Sequence, residues 1–133
     1  MTDLCIAVLA AGKGMRMKSS RPKVLHDLAG RSIIDRVLRT AAALNPVETV
    51  VVIGHGADAL RVALSAHPTL RFVVQSPQLG TGHAVWQTEP VFRGRTGSLL
   101  VLYGDVPLLQ ATTLGRLVEH HRTAGAAATV LTT

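Results

Sequence analysis

Short apolar runs without polar alternation limit the folds open to this chain more than any other feature. They are rich in β-branched residues, which favours strands, and their continuous apolar character predicts burial on both faces of a parallel sheet. The runs are Leu4–Leu9, Thr49–Ile53, Arg71–Gln75, Leu99–Tyr103 and Ala127–Leu131. Helical patterns separate them, so the order of elements predicts an α/β chain with a Rossmann-like, mostly parallel sheet and flanking helices.

Residues with N-cap chemistry precede the helical patterns, because their side chains can accept hydrogen bonds from the first free backbone N–H groups. The predicted caps are Ser32, Asp58 and Thr113, and a shorter helix is predicted to begin at Thr81 or Gly82. Ser32 also has Asp35 three positions later, a weak form of the capping box. Gly125 is predicted to end the last helix.

A glycine-rich basic segment follows the first apolar run. Five of the fourteen lysines and arginines lie between Lys13 and Lys23, with no acidic residue among them. Gly12 and Gly14 allow the backbone to come close to a ligand, and N–H groups and cationic side chains attract an anion. The segment therefore predicts a phosphate site, and the alternative is a solvated basic loop.

Two common phosphate motifs do not fit this segment. The P-loop needs Ser or Thr after its Gly-Lys pair, but Gly14 follows Lys13. The dinucleotide fingerprint needs a third glycine where Met17 stands, which argues against a nicotinamide or flavin site.

Two polar clusters follow later strands, at the end of the sheet where ligands bind in such folds. Gln75 offers a donor and an acceptor suited to the edge of a base, and the segment 80–82 could bring backbone close to it. The alternative for that segment is a plain helix start capped by Thr81. Asp105 ends a strongly apolar run and could hold Mg²⁺, a cation that prefers oxygen ligands. The alternative is an aspartate that turns the chain before Pro107.

Composition excludes several classes of protein. The net charge is +6, but the aromatic residues that single-strand binders use for stacking are few and not interleaved with the basic segment, so nucleic acid is not the expected partner. No apolar run is long enough for a membrane helix. The single cysteine, Cys5, can form no internal disulfide, which fits the cytosol.

The clusters together resemble a known family, the sugar-phosphate nucleotidylyltransferases. Within it they are most similar to the bacterial N-acetylglucosamine-1-phosphate uridylyltransferases. The segments that carry the resemblance are Leu9–Met17, Pro22–His26, Gly80–Ala84 and Tyr103–Leu108. The resemblance implies that UTP and N-acetylglucosamine 1-phosphate react to give UDP-N-acetylglucosamine and pyrophosphate, with Mg²⁺ as cofactor.

The resemblance also implies a role for each matching residue. Arg16 and Lys23 would be catalytic and bind phosphates, and Asp105 would bind Mg²⁺. The other nucleotide-binding residues would be Leu9, Ala10, Ala11, Gly12, Gly14, Gln75, Gly80, Thr81, Tyr103 and Gly104. Met15 departs from the pattern, which usually has threonine there.

Length is the larger departure from the family. Its members continue well beyond 133 residues into the rest of the nucleotidyltransferase domain and then a β-helix acetyltransferase domain. Residues 1–133 are therefore expected to be the N-terminal part of an incomplete nucleotidyltransferase domain, without appreciable turnover alone. The resemblance further implies a cytoplasmic, homo-oligomeric full-length protein.

Three rival interpretations stay open from the sequence. The chain could belong to a related transferase that uses another sugar phosphate, a cytidylyl group or molybdopterin. It could be a non-catalytic basic module that binds nucleotides or nucleic acid, or a purely structural α/β piece whose polar clusters are turns.

Overall fold

A computed structural model describes residues 3–12, 21–54 and 57–132 of the chain. Strands and helices alternate along most of it. In chain order the elements are β1 (Leu4–Leu9), a 3-10 turn (Lys23–Leu25), β2 (Asp27–Leu28), β3 (Arg31–Ser32), α1 (Ile33–Ala42), β4 (Glu48–Ile53), α2 (Ala57–Ala63), β5 (Arg71–Val74), α3 (Thr81–Trp86), α4 (Glu89–Phe92), β6 (Ser98–Tyr103) and α5 (Ala111–Ala124).

Four strands form one parallel sheet in the order β5-β4-β1-β6. β1 lies between two partners, so that Val8 pairs with Val51 of β4 and with Leu102 of β6. Ile6, Ala7 and Val8 are fully buried, as expected for an inner strand covered on both faces. The prediction of an α/β fold with a mostly parallel sheet is confirmed.

α1 forms where the sequence predicts a helix start. The Ser32 hydroxyl accepts a hydrogen bond from the Asp35 backbone N–H at 3.2 Å, which satisfies one of the free donors of the first turn. Ile34, Val37 and Leu38 are buried on one face of the helix and join the main apolar core with β1. Each such side chain contributes about 1.5–3 kcal/mol through the apolar surface that it removes from water.

Three predictions about local structure are wrong. The segment 127–131 forms no strand in the described chain, and Val130 and Leu131 remain exposed. Asp58 lies inside the first turn of α2 rather than before it. Thr113 lies inside α5, which begins at Ala111, after Gln110. The predicted end of α5 at Gly125 is confirmed, with Gly125 in the left-handed conformation.

The small hairpin of β2 and β3 was not predicted from the sequence. Its turn contains Ala29 with a positive φ of 51°. The Arg36 guanidinium on α1 donates to the carbonyl oxygens of Leu28 and Ala29, and this holds the turn against the helix.

Cys5 is buried within β1, and burial raises the pKa of its thiol. A thiol that stays protonated packs as a small apolar group within the strand. Within the described chain, no helix has the length and apolar character needed to cross a membrane.

Candidate functional site

A cavity of about 540 Å³ opens beyond the carboxyl ends of β1, β5 and β6. Parallel strands bring the loops that follow them to one edge of the sheet, which is where this fold binds ligands. The residues that line the cavity are Leu9, Ala10, Ala11, Gly12, Lys23, Val24, Gln75, Gln78, Gly80, Thr81, Ala84, Tyr103 and Asp105. The three clusters that the sequence singled out are thus adjacent in space.

Most of the predicted site residues lie around this cavity. Of those within the described chain, Gly104 alone is not among the lining residues, and its backbone is hydrogen-bonded to Leu9, which is one of them. Arg16 and Gly14, together with Met15, fall outside the described residues. Gln78, Val24 and Ala84 also line the cavity and were not predicted from the sequence as site residues.

Lys23 and Asp105 face each other across the rim of the cavity. The Lys23 Nζ atom lies 3.2 Å from Asp105 Oδ2, and the two side chains are 35% and 43% exposed. Lys23 begins the 3-10 turn, whose next residues Val24 and Leu25 are buried and anchor it to the core. Asp105 follows the end of β6. A cation and a carboxylate from distant parts of the chain therefore meet at the strand ends.

Gly104 brings the end of β6 close to the end of β1. Its backbone N–H donates to the Leu9 carbonyl oxygen at 2.9 Å. A Cβ atom at this position would lie 3.0 Å from that oxygen and 3.3 Å from the Ala10 Cβ atom. These contacts are tighter than almost all those of real Cβ atoms, so a side chain here would push the ends of β6 and β1 apart by a few tenths of an ångström.

Gln75 is buried at the base of the cavity and is the first residue after β5. Its backbone N–H donates to the Ile53 carbonyl oxygen at 2.8 Å, which prolongs the pairing of β4 with β5 by one bond. Its side-chain nitrogen Nε2 contacts the Gly80 carbonyl oxygen at 3.0 Å and His83 Nδ1 at 2.9 Å. The amide is therefore held by the loop that leads into α3.

Gln78 connects that same loop to the segment after β1. Its side-chain Nε2 donates to the Ala11 carbonyl oxygen. Gly54, at the end of β4, lies beside this contact, and a Cβ there would lie 2.7 Å from Gln78 Nε2 and 3.2 Å from the Ala11 oxygen. The glycine that ends β4 thus leaves the space through which Gln78 reaches Ala11.

The donor set for a metal ion is small. In residues 3–12, 21–54 and 57–132, no group of three or more histidine, cysteine, aspartate and glutamate side chains could hold an ion. Asp105 is the carboxylate among the lining residues. This set fits Mg²⁺, which commonly takes one or two carboxylates and completes its shell with waters and substrate phosphates. It does not fit a structural ion enclosed by protein groups.

Comparison with known proteins gives three kinds of match. The family model described as the MobA-like NTP transferase domain matches residues 6–133. The bifunctional protein GlmU of Thermosynechococcus vestitus is 55% identical over 127 residues, which is 96% of this chain and 28% of that protein. The chain thus spans less than a third of the length of such curated relatives.

Solved structures share the fold. A nucleotidyl transferase from Methanothermobacter is 26% identical with a TM-score of 0.77, covering 89% of this chain and 57% of that one. A Mycobacterium tuberculosis protein solved in complex with manganese is 21% identical with a TM-score of 0.76, covering 92% and 61%. At that identity the second match shows the fold alone.

Proposed function

The chain belongs to the family of MobA-like NTP transferase domains, and on that premise we propose that it is the nucleotide-binding part of a uridylyltransferase. The proposed reaction transfers uridylyl from UTP to N-acetylglucosamine 1-phosphate and yields UDP-N-acetylglucosamine and pyrophosphate. Such a product serves as a precursor of cell-wall polymers. The support is the motif resemblance together with relatives about half identical over nearly the whole chain.

The pairing of Lys23 with Asp105 at the rim of a cavity floored by alanine and glycine carries this proposal. In the proposed reaction a sugar-phosphate oxygen attacks the α-phosphorus of UTP, and the bond to the pyrophosphate oxygen breaks. Such a transfer needs in-line positioning and neutralised charge more than covalent help from the protein. The Lys23 ammonium supplies a positive charge at the reacting phosphate, and Arg16 is proposed to bind the phosphates beside it.

Asp105 is the residue that would hold Mg²⁺. The ion, when bound with the nucleotide, neutralises phosphate charge and orients the phosphate oxygens. Lys23 holds only Oδ2 of the Asp105 carboxylate, at 3.2 Å, so an ion that takes this oxygen would displace the ammonium from it. A triphosphate supplies the anionic partner that Lys23 then takes.

The other side of the cavity is proposed to bind the nucleoside. Gln75, Gly80 and Thr81 lie on this side and would contact the base. Tyr103 and Gly104 would line the nucleotide and sugar side, and Leu9, Ala10, Ala11, Gly12 and Gly14 would present backbone to the nucleotide. Tyr103 is half exposed at the cavity mouth, where a sugar ring could pack against it.

We also propose that the parent protein acts in the cytoplasm and forms homo-oligomers, with no nucleic-acid or membrane partner. Nucleoside triphosphates are found in that compartment, and the lone cysteine needs no oxidising environment.

Nucleotide binding is the direct test, because this chain spans less than a third of its curated relatives. Titration with UTP, CTP and GTP, each with and without Mg²⁺, can be followed by calorimetry or by the fluorescence of Trp86, the only tryptophan. We expect Mg²⁺-dependent binding with preference for UTP. Preference for CTP or GTP would indicate one of the related transferases instead.

Two pairs of variants sharpen this test. Asp105→Asn should abolish the Mg²⁺ dependence of binding, and Lys23→Ala should weaken UTP binding. The control substitutions Asp58→Asn and Arg116→Ala change exposed residues away from the cavity and should alter neither property. Steeply salt-dependent binding to single-stranded nucleic acid without nucleotide preference would favour the basic-module interpretation.

A further inference from the structure

The orientation of the Gln75 side-chain amide is fixed by the groups around it. The Gly80 carbonyl oxygen can only accept a hydrogen bond, so the atom 3.0 Å from it must be the amide nitrogen. The second hydrogen of that nitrogen points to His83 Nδ1 at 2.9 Å. Both amide hydrogens are therefore used inside the protein.

The amide oxygen of Gln75 is the group that remains for a ligand. No described residue forms a hydrogen bond with this oxygen. By contrast, every fully buried side-chain polar atom of the described residues has a hydrogen-bond partner. The oxygen is therefore not sealed inside the protein, and the opening that Gln75 lines is the cavity. What Gln75 offers there is an acceptor rather than a donor.

His83 holds this arrangement from α3. Its Nδ1 atom accepts from Gln75, which places the ring hydrogen on Nε2 in the neutral form. The side-chain nitrogen of Gln87, one turn further along the chain, donates to the His83 carbonyl oxygen at 3.3 Å; it also lies 3.2 Å from Nε2, but as a donor it is no partner for the Nε2 hydrogen. The contact that keeps Nδ1 towards Gln75 is therefore the hydrogen bond from the Gln75 amide itself.

We propose that His83 is a positioning residue that sets the base selectivity of the cavity, by keeping the amide oxygen of Gln75 turned towards the base. This inference rests on the proposed function. An acceptor at that point suits a base whose ring nitrogen carries hydrogen, as N3 of uracil does. It disfavours cytosine, whose N3 is itself an acceptor, because two acceptors facing each other leave both without a hydrogen.

Loss of Nδ1 leaves one amide hydrogen of Gln75 without a partner. The amide is then less restrained and can present its N–H groups to the cavity, where cytosine would accept them. One neutral hydrogen bond of this kind changes an equilibrium by about two- to tenfold. The ratio of UTP affinity to CTP affinity should fall by that factor, because UTP binding weakens relative to CTP binding.

Three variants test the inference by titration with Mg²⁺-UTP and Mg²⁺-CTP. His83→Leu keeps the approximate shape but has no acceptor, whereas His83→Asn places an amide oxygen near the position of Nδ1. His120→Leu, at an exposed histidine of α5, is the matched control. We expect His83→Leu to lower the ratio of UTP to CTP affinity about two- to tenfold, His83→Asn to restore most of it, and His120→Leu to leave it unchanged.

The possible outcomes separate this inference from the proposed function. If His83→Leu weakens both nucleotides equally, or leaves their ratio unaltered, His83 has only a structural role and the inference is wrong while the function stands. If the unchanged chain shows no Mg²⁺-dependent preference for UTP, the proposed function fails and the inference fails with it. The nitrogen chemical shifts of His83 in the unchanged chain add a test that needs no variant, since a hydrogen found on Nδ1 would overturn the inference.

Discussion

The ammonium nitrogen of Lys23 lies 3.2 Å from a carboxylate oxygen of Asp105, although 82 positions of sequence separate the two residues. Both side chains are more than a third exposed. A pair so open to solvent contributes little to folding, so the position of these two side chains matters chiefly for what they can bind.

Lys23→Ala and Asp105→Ala should therefore separate function from stability. We expect either change to alter the free energy of unfolding by less than about 1 kcal/mol, since exposed ion pairs contribute little. In a complete enzyme that contains this chain, each should lower kcat by about a hundred- to a thousandfold, because a preorganised charge at the reacting phosphate is lost. Urea denaturation and steady-state kinetics measure the two effects, and near-normal turnover in either variant would refute the assigned roles.

Gly54→Ala should weaken nucleotide binding through Gln78. The new methyl group would displace the Gln78 amide from the Ala11 carbonyl oxygen and loosen the segment after β1. We expect a loss of about 1 kcal/mol in the free energy of unfolding, since a hydrogen bond is lost, together with lower UTP affinity.

Gly115→Ala is the matched control for that change. Gly115 lies within α5, and a Cβ there would find no atom nearer than 3.9 Å. The substitution should raise the free energy of unfolding by about 0.5–1 kcal/mol, because alanine favours a helix interior over glycine. Equal effects of the two substitutions in thermal denaturation would contradict the structure.

Gly97→Ala should destabilise the chain more than Gly94→Ala. Both glycines have positive φ, of 119° and 77°. A Cβ at Gly97 would also overlap the backbone of Asp3, whose carbonyl oxygen accepts a hydrogen bond from the Ser98 N–H at the start of β6. A Cβ at Gly94 would meet open space. We expect about 1–2 kcal/mol from backbone strain at Gly94 and a larger loss at Gly97. Chemical denaturation of the two variants under one condition gives the comparison.

Asp35 should make stability depend on pH in the acid range. Burial raises the pKa of its carboxyl group, but hydrogen bonds from Arg39 and His67 outweigh burial and bring the pKa below its usual value. The unfolded chain then takes up the proton first as the pH falls, so the stabilisation is present above the unfolded pKa near 4 and is lost as the pH falls through the lower folded pKa.

Asp35→Asn provides the measurement of that dependence. It should lower the free energy of unfolding by about 1–3 kcal/mol at pH 7, where hydrogen bonds to a charged group are lost. The difference from the unchanged chain should shrink between pH 5 and pH 2. A difference that is constant over this range would show that the carboxylate charge is not what stabilises α1.

The strands of the sheet could be predicted because their signal is local. β1 matches its prediction at both ends, and β6 begins one residue early, since continuous apolar runs stand out from a polar background. The segment 127–131 has the apolar pattern of a strand, but a strand also needs a partner for its backbone groups, and the sequence does not show whether one is present. The structure instead fixes that segment through His121, whose Nδ1 lies 2.9 Å from Thr129 Oγ1.

The position of a side chain could be predicted where it directly follows a strand, as for Asp105 and Gln75, which both line the cavity. It was not predictable where side chains act across long distances. Gln78 meets a backbone oxygen 67 positions away, and nothing in its surroundings marks it as different from any exposed glutamine. The contact of His83 with Gln75 depends on how the loop between them closes, since Gly80 turns it with a φ of 107°.

The floor of the cavity, at Ala10, Ala11 and Gly12, carries no side-chain functional group. Whatever polar recognition it provides comes from peptide bonds, which every amino acid shares. A substitution here can add side-chain volume to this surface, but it leaves the peptide carbonyl groups in place. Over generations, residues here are therefore constrained by volume, whereas those on the walls are constrained by the atoms they display, and a change of nucleotide preference would have to begin in the walls.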